Sequence, residues 1–243
     1  MMKIGAIIQA RMESERLPGK VLMDIEGHPM LWHIIERLKR ISTLDILVVA
    51  TSYKNNKGIL DVARKCGIEY FVGEEDDVLK RYIDASKRFN IDPIVRATGD
   101  NPLLAIEVVD RMVHHHIETS ADCTTMDVLP LGLGTEVLSI KALIKTHSCL
   151  EKTHYHREHV STFIHERPDM FRLEILETEP YLRRPELRLT VDTIEDLTLI
   201  REIYRRLYKE GEIIDISEVI NLLDKRKELL EINAHIRQKG IAK

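Results

Sequence analysis

Three cations, Arg11, Arg16 and Lys20, fall within ten residues of one another in the string ARMESERLPGK, directly behind the apolar run Ile4–Ile8. Cations that close together suit a polyanion, and a nucleoside triphosphate is the commonest small one. Pro18 and Gly19 give the loop its turn chemistry. Two familiar phosphate motifs are excluded. A Walker A loop needs Gly, four residues, then Gly-Lys-Ser/Thr, whereas here Val21 follows Gly19-Lys20 and Ser14 stands where the first glycine belongs. A Rossmann fingerprint needs three spaced glycines, and this loop has one. Side-chain charge, more than a glycine cradle, must hold the phosphates.

Two further strings place a carboxylate just after an apolar run: VRATGDNP, with Asp100, and LTVDTIEDL, with Asp192. A carboxylate at the C-terminal end of a strand can hold Mg²⁺, a hard cation that takes oxygen ligands and keeps several waters. Each also has a structural use. Asp100 can cap the segment after Pro102. Asp192 or Thr193 can cap the following helix, with Glu195 and Asp196 favouring its dipole. Two carboxylates from distant strands meeting over a triphosphate are what metal-assisted phosphoryl chemistry requires. The acids Glu74–Asp77 read as a solvated helix start and are poor neighbours for a triphosphate. His154, His156, His159 and His165 crowd one segment, and His114–His116 are consecutive. Zinc sites want fixed geometry and usually a cysteine or carboxylate, so these histidines read as residues of helical faces.

The elements that must position these groups follow from periodicity. Met30, Leu31, Ile34, Ile35, Leu38 and Ile41 recur at helical spacing behind Pro29, which suits a first helical turn. Ile46–Ala50 reads as a strand, Ile59–Ala63 as a short helix stopped by Gly67, and Tyr70–Val72 as a strand. Val78–Phe89 reads as a helix stopped at Asn90, Ile94–Ala97 as a strand and Val109–Ile117 as a helix. The repeated strand–helix order predicts an α/β fold with a mainly parallel sheet and helices on both faces, a three-layer architecture. In the second half, 122–139 reads as strands and loops, Ile140–Leu150 and His154–Glu166 as helices, and Phe171–Leu176 and Leu187–Val191 as strands. Thr193 caps a helix through Leu207, and Ile216–Lys239 reads as an amphipathic helix. One domain over 1–243, with a smaller inserted lobe at about 125–190, is the economical reading.

Charged residues make up 31% of the 243 and the formal net charge is -4, which argues against nucleic acid as the main partner. The three cysteines, Cys66, Cys123 and Cys149, form no metal or redox spacing and suggest a reducing compartment. No apolar run approaches the ~20 residues that span a bilayer, and the N-terminus lacks a secretory pattern. The expectation is a cytoplasmic protein with no membrane partner.

The string from Ala10 to Lys20 resembles the N-terminal signature of the sugar-activating cytidylyltransferases, which make CMP-linked acidic sugars. Ala10, Arg11, Ser14, Arg16, Leu17, Pro18, Gly19 and Lys20 match it, and the preceding IIQARM is similar to the spore-coat polysaccharide branch. The resemblance runs from residue 3 to about residue 208 and implies a nucleotide-diphospho-sugar transferase-like fold. It implies metal-binding roles for Asp100 and Asp192 and phosphate-binding roles for Arg11, Arg16 and Lys20, with Ser14 in the same loop. Base selectivity leans on backbone groups at Gln9 and Ala10, and the matching DDVLxRY loop puts Gly73 and Asp77 near the base. The sequence departs from the acidic-sugar enzymes at Arg96, where they often carry Gln nearby, so Arg96 contacts either a phosphate or the acceptor. The REHV string resembles the same branch. It offers Arg157 or His159 to an acceptor carboxylate, and Glu136 can bond acceptor hydroxyls. A homodimer is also implied.

The reaction so implied is CTP plus a 3-deoxy-ulosonic acid of the sialic or legionaminic type giving a CMP-sugar and pyrophosphate, with Mg²⁺ as cofactor. Other readings change the base, replace the acceptor by a sugar phosphate or another phosphorylated metabolite, or make the chain a nucleotide-binding module without catalysis. A glycosyltransferase of similar fold is disfavoured. Such enzymes usually carry Asp-x-Asp after a strand, where this chain reads Asp100-Asn101-Pro102.

Overall fold

A computed structural model of the protein describes residues 3–149 and 153–238. The strands are β1 (Lys3–Gln9), β2 (Asp24–Ile25), β3 (His28–Pro29), β4 (Ile46–Ser52), β5 (Glu69–Gly73), β6 (Ile91–Thr98), β7 (Cys123–Met126), β8 (Glu136–Leu138) and β9 (Leu173–Leu176). The helices are α1 (Met30–Leu38), α2 (Lys57–Lys65), α3 (Val78–Phe89), α4 (Val109–Thr119), α5 (Ile140–Ser148), α6 (His154–Glu158), α7 (Thr162–Glu166), α8 (Ile194–Leu207) and α9 (Ile216–Lys225). Seven strands form one sheet in the order β5-β4-β1-β6-β8-β7-β9, and β2 and β3 form a separate two-stranded ribbon. The sheet is parallel except at β8, which runs antiparallel to β6 and β7. The mainly parallel α/β reading therefore holds. The segment 125–190 places β8, β9 and the end of β7 in this same sheet.

Side chains alternate between the two faces of each strand, and both faces are buried, which is why β1, β4 and β6 read as continuous apolar runs. Ala6, Ile8, Val49 and Val95 belong to the core beneath α1, α4 and α8. Ile7, Val48, Ala50 and Ile94 belong to a second core beneath α3, α5 and α7. Ile7 and Ile8 are fully buried, each contributing about 2 kcal/mol by transfer from water. Tyr82 of α3 donates its hydroxyl to the carbonyls of Ile7 and Ala97, 3.2 Å from each, and ties the two central strands near the ends that open into the loops.

Gly67 and Asn90 stop α2 and α3 as expected; Asn90 takes the left-handed conformation that asparagine tolerates. Four expectations are corrected. Pro29 is not in the first helical turn: it pairs with Asp24 in the β2–β3 ribbon and precedes α1 in an extended conformation. The single helix expected over His154–Glu166 is two, α6 and α7. The break at His159 lets Val160 enter the core while Ser161 and His159 face outward into a cavity. The last helix ends at Lys225, where Arg226 leaves helical angles, and a 3₁₀ segment, Lys227–Ile232, sends Leu229 back to the core; Lys239 lies outside the described residues, as does Leu150 at the expected end of α5.

The fourth correction concerns Leu187–Val191, which is not a strand. It makes one isolated bridge, Leu131 with Arg188, and crosses the C-terminal end of the sheet. Its backbone is committed elsewhere: Leu189 N–H donates to Leu131 O at 2.7 Å and Val191 N–H to Asp100 O at 2.8 Å. The alternation of Leu187, Leu189 and Val191 is real burial, at 1% exposure or less, achieved by a strap and not by a sheet. Gly132 makes the strap's close approach possible. Its φ is 101°, and a Cβ there would lie 2.3 Å from Thr190 N and 2.4 Å from Leu189 C. Gly132→Ala therefore combines a left-handed backbone with a backbone clash, and we expect it to lower the urea-unfolding free energy by about 3 kcal/mol. An unchanged midpoint would show that the strap yields freely.

Candidate functional site

The ends of β1, β6 and the strap enclose one large cavity of about 810 Å³, a size suited to a nucleotide with a small co-substrate. The loop Arg11–Lys20 folds on itself, with Ser14 N–H and Gly19 N–H both donating to Met12 O at 3.0 and 2.8 Å. Gly19, at φ 71°, turns the chain so that Lys20 opens a 3₁₀ turn and enters the site. Lys20 is nearly buried, and its Nζ donates to Asp100 Oδ2 at 3.0 Å, Asp192 Oδ1 at 3.0 Å and Val191 O at 2.7 Å. The two carboxylates from strings 92 residues apart thus converge on one point, and the Val191–Asp100 backbone bond fixes their spacing. Arg16 pairs with Asp192 Oδ2 at 2.9 Å, and Arg11 with Glu158 Oε1 at 3.1 Å. Arg188 holds Asp192 from behind at 3.1 Å while its Nε donates to buried Asp196 at 2.8 Å. Burial alone would raise the Asp192 carboxyl, but Lys20, Arg16 and Arg188 together hold it below its ordinary value.

A second cluster lines another wall. Arg96 on β6 and Glu136 on β8 are directly opposite across the strands and pair at 3.2 Å. Ser161 donates to Glu136 Oε2 at 2.6 Å, His165 Nε2 lies 2.6 Å from Glu136 Oε1, and Thr135 donates its hydroxyl to Arg96 O at 2.6 Å. Arg96 Nε and Gln9 Oε1 are buried polar atoms with no hydrogen-bond partner among the described residues, and both residues line the cavity. Buried polar atoms are normally bonded, so both are suited to a ligand. Burial works to raise Glu136, yet His165, Arg96 and Ser161 bring it down to about 2; the same carboxylate raises His165 above 6.5. The stability from raised His165 is fully present below pH 6.5 and lost as pH rises through its folded value. The part from depressed Glu136 is present above 4.5 and lost only toward 2. We expect thermal stability to fall with rising pH above 6.5, and His165→Gln to remove that slope; an identical slope in the variant would refute the assignment.

Of the residues singled out from sequence, Gln9, Ala10, Arg11, Ser14, Arg16, Lys20, Arg96, Asp100, Glu136, His159 and Asp192 all line this cavity. Gly73, Asp77 and Arg157 do not. Gly73 ends β5 against Phe71 and Arg81. Asp77 caps α3, accepting from Lys80 N at 2.8 Å, with His147 at 3.4 Å and Arg157 at 3.9 Å. Its first duty is the helix start that four consecutive acids suggest. Sequence reasoning passed over Glu158, Ser161 and Arg188, and it read His165 only as part of a helical face. Glu158 sits inside the REHV string and Arg188 four residues before Asp192, but only the fold shows what each touches. The crowded histidines serve separate ends: His156 Nδ1 accepts from Thr153 N at 2.9 Å as part of the α6 cap, and His116 meets Thr124 at 3.0 Å.

The comparisons with known proteins agree with this geometry. The family described as Cytidylyltransferase matches residues 5–231. The chain is 36% identical over 226 residues to the spore coat polysaccharide biosynthesis protein SpsF of Bacillus subtilis, covering 90% of this chain and 93% of that one. It is 32% identical over 125 residues to a 3-deoxy-manno-octulosonate cytidylyltransferase of Lawsonia intracellularis, covering 49% and 48%. Among solved structures, a cytidylyltransferase from Leptospira borgpetersenii superposes with a TM-score of 0.87 at 30% identity, covering 95% of this chain and 97% of that one. With the Arg11–Lys20 loop, the paired aspartates and the sheet order already in place, the match over nearly the whole length settles the family: this chain is a member of the cytidylyltransferases.

Proposed function

We propose that the protein transfers CMP from CTP to the anomeric hydroxyl of a small acidic sugar, a 3-deoxy-ulosonic acid, with release of pyrophosphate. The observation that carries this reading is the convergence of Lys20, Arg16 and the two aspartates on one point of a cavity that continues to the Arg96–Glu136 wall. Arg11, Arg16 and Lys20 bind the β- and γ-phosphates and stabilise the leaving pyrophosphate. The Asp100 and Asp192 oxygens, both 3.0 Å from one ammonium, fit a hard divalent cation once Lys20 turns to the phosphates. Held there by Asp100 and Asp192, Mg²⁺ would supply charge neutralisation for phosphoryl transfer. No protein nucleophile is required.

Gln9 faces the nucleotide with its unpartnered amide oxygen, and Ser14 closes the loop beside it. Glu136 accepts from acceptor hydroxyls, and its depressed pKa keeps it ionised for that task. Arg96 and His159 meet the acceptor carboxylate, Arg96 through its spare Nε; Arg157, outside the cavity wall, is less suited to it. The segment 125–190 is then the acceptor part of the protein and a contact for a second copy in a homodimer. The polysaccharide role named for the Bacillus relative and the sugar acid named for the Lawsonia one support an acidic-sugar acceptor. The test is pyrophosphate release with Mg²⁺, crossing four nucleoside triphosphates against ulosonic acids, sugar 1-phosphates and small phosphorylated metabolites. Release with CTP and a ulosonic acid is expected. Release with CTP and a different acceptor would discard the sugar-acid half.

A further inference from the structure

We infer that Cys123, Glu136 and His165 form a binding site for one thiophilic divalent transition-metal ion, of the Zn²⁺ class, separate from the paired aspartates. Cys123 Sγ, one Glu136 carboxylate oxygen and His165 Nε2 all lie within 4.8 Å of one another. A thiol, an imidazole and a carboxylate are the donor set that zinc takes from proteins, and three protein ligands with one open position is the form of its non-structural sites. The spacing by sequence gives no hint of it, since 13 residues separate Cys123 from Glu136 and 29 more separate Glu136 from His165.

The fold builds the set on rigid elements. Cys123 is paired with Leu138 across β7 and β8, and the two share the sheet face that α5 and α7 cover. Glu136, two residues before Leu138, projects to that same face, and His165 descends on it from α7. Sγ to Nε2 is 3.8 Å, close to the ~3.5 Å that separates two ligands of a tetrahedral zinc. Nε2 to Oε1 is 2.6 Å and must open by about 0.8 Å to reach the ~3.4 Å of a nitrogen–oxygen ligand pair. His165 is the exposed member, with 38% of its side chain accessible, and is free to swing by that amount.

The carboxylate is already prepared. Glu136 Oε2 is engaged by Ser161 and Arg96, while among the described residues Oε1 is bonded by His165 alone. A metal on Oε1 would keep both Oε2 partners, which then orient the ligand as outer-shell groups do. Binding releases the thiol proton of Cys123, and the proton shared by His165 and Glu136, to solvent. Glu136 lines the cavity, so the fourth position opens to water there.

The test is titration of the metal-free protein with Co²⁺, read by absorption. The expected result is one equivalent bound with tetrahedral ligand-field bands and a sulfur-to-cobalt charge-transfer band. That band is lost in Cys123→Ala and the affinity falls tenfold or more in His165→Gln, while Asp100→Ala/Asp192→Ala retains both. Cys123 is buried, so its variant is checked by melting temperature, and His165→Gln serves as the exposed-site control. Absence of the charge-transfer band, or a band that survives Cys123→Ala and so belongs to Cys66 or Cys149, would overturn the site. A second arm rests on the acceptor role of Glu136: Zn²⁺ added at saturating Mg²⁺ inhibits competitively with acceptor in the wild type but not in Cys123→Ala. Because cobalt binding is read without substrates, failure of the cytidylyl-transfer reading leaves the first arm standing, and the reverse holds equally.

Discussion

Asp192→Ala and Asp100→Ala should each lower turnover by about three orders of magnitude, the scale of losing one preorganised electrostatic group at a transition state, while leaving the fold intact. The structure shows why the fold survives. Arg188, relieved of Asp192, keeps Asp196, and Lys20 keeps its bond to Val191 O in both variants. The spacing of the two positions is set by the Val191–Asp100 backbone bond, which neither substitution removes. Pyrophosphate release measured beside the melting temperature checks the claim. A variant that turns over at wild-type rate would end the two-carboxylate account; one that unfolds would instead make the aspartates structural.

Lys20→Ala should produce the second large effect, in two separable readouts. Turnover falls about 10²–10³-fold, more than CTP affinity, because the ammonium is worth most where charge develops on the leaving group. In metal-free buffer the variant also loses about 3 kcal/mol of stability, since Asp100 and half of Asp192 are left without their cation in a low-dielectric pocket. Mg²⁺ should restore most of that loss by filling the point where the carboxylates converge. Equal losses in turnover and affinity would reduce Lys20 to a binding residue. A melting temperature indifferent to Mg²⁺ would remove the metal from that point.

Much of this site was legible because its parts lie where strands end. Asp100 follows an eight-residue strand and Lys20 follows a seven-residue one across a short loop, so apolar run and charge sit side by side in the sequence. The burial of Leu187, Leu189 and Val191 was also legible, but its cause was not. Alternation reports which side chains are covered, and a strap across the sheet end covers them as well as a neighbouring strand would. The break between α6 and α7 escaped because Val160, Phe163 and Ile164 keep near-helical spacing while the backbone at His159 does not. Glu158, Ser161 and Arg188 escaped for a plainer reason: their roles exist only across 147, 25 and 4 residues of chain, against partners that composition does not reveal.

Every cation of the Arg11–Lys20 loop is held at rest by a carboxylate of the protein itself: Arg11 by Glu158, Arg16 by Asp192, and Lys20 by both aspartates. These pairings make the acidic groups standing rivals of any bound polyphosphate. On the proposed reaction, pyrophosphate would leave cations that already have somewhere to go, and each carboxylate that recaptures its partner would weaken the grip on the product. If the proposed chemistry demands a strong hold on three phosphates, the same pairings would supply the means of letting two of them go.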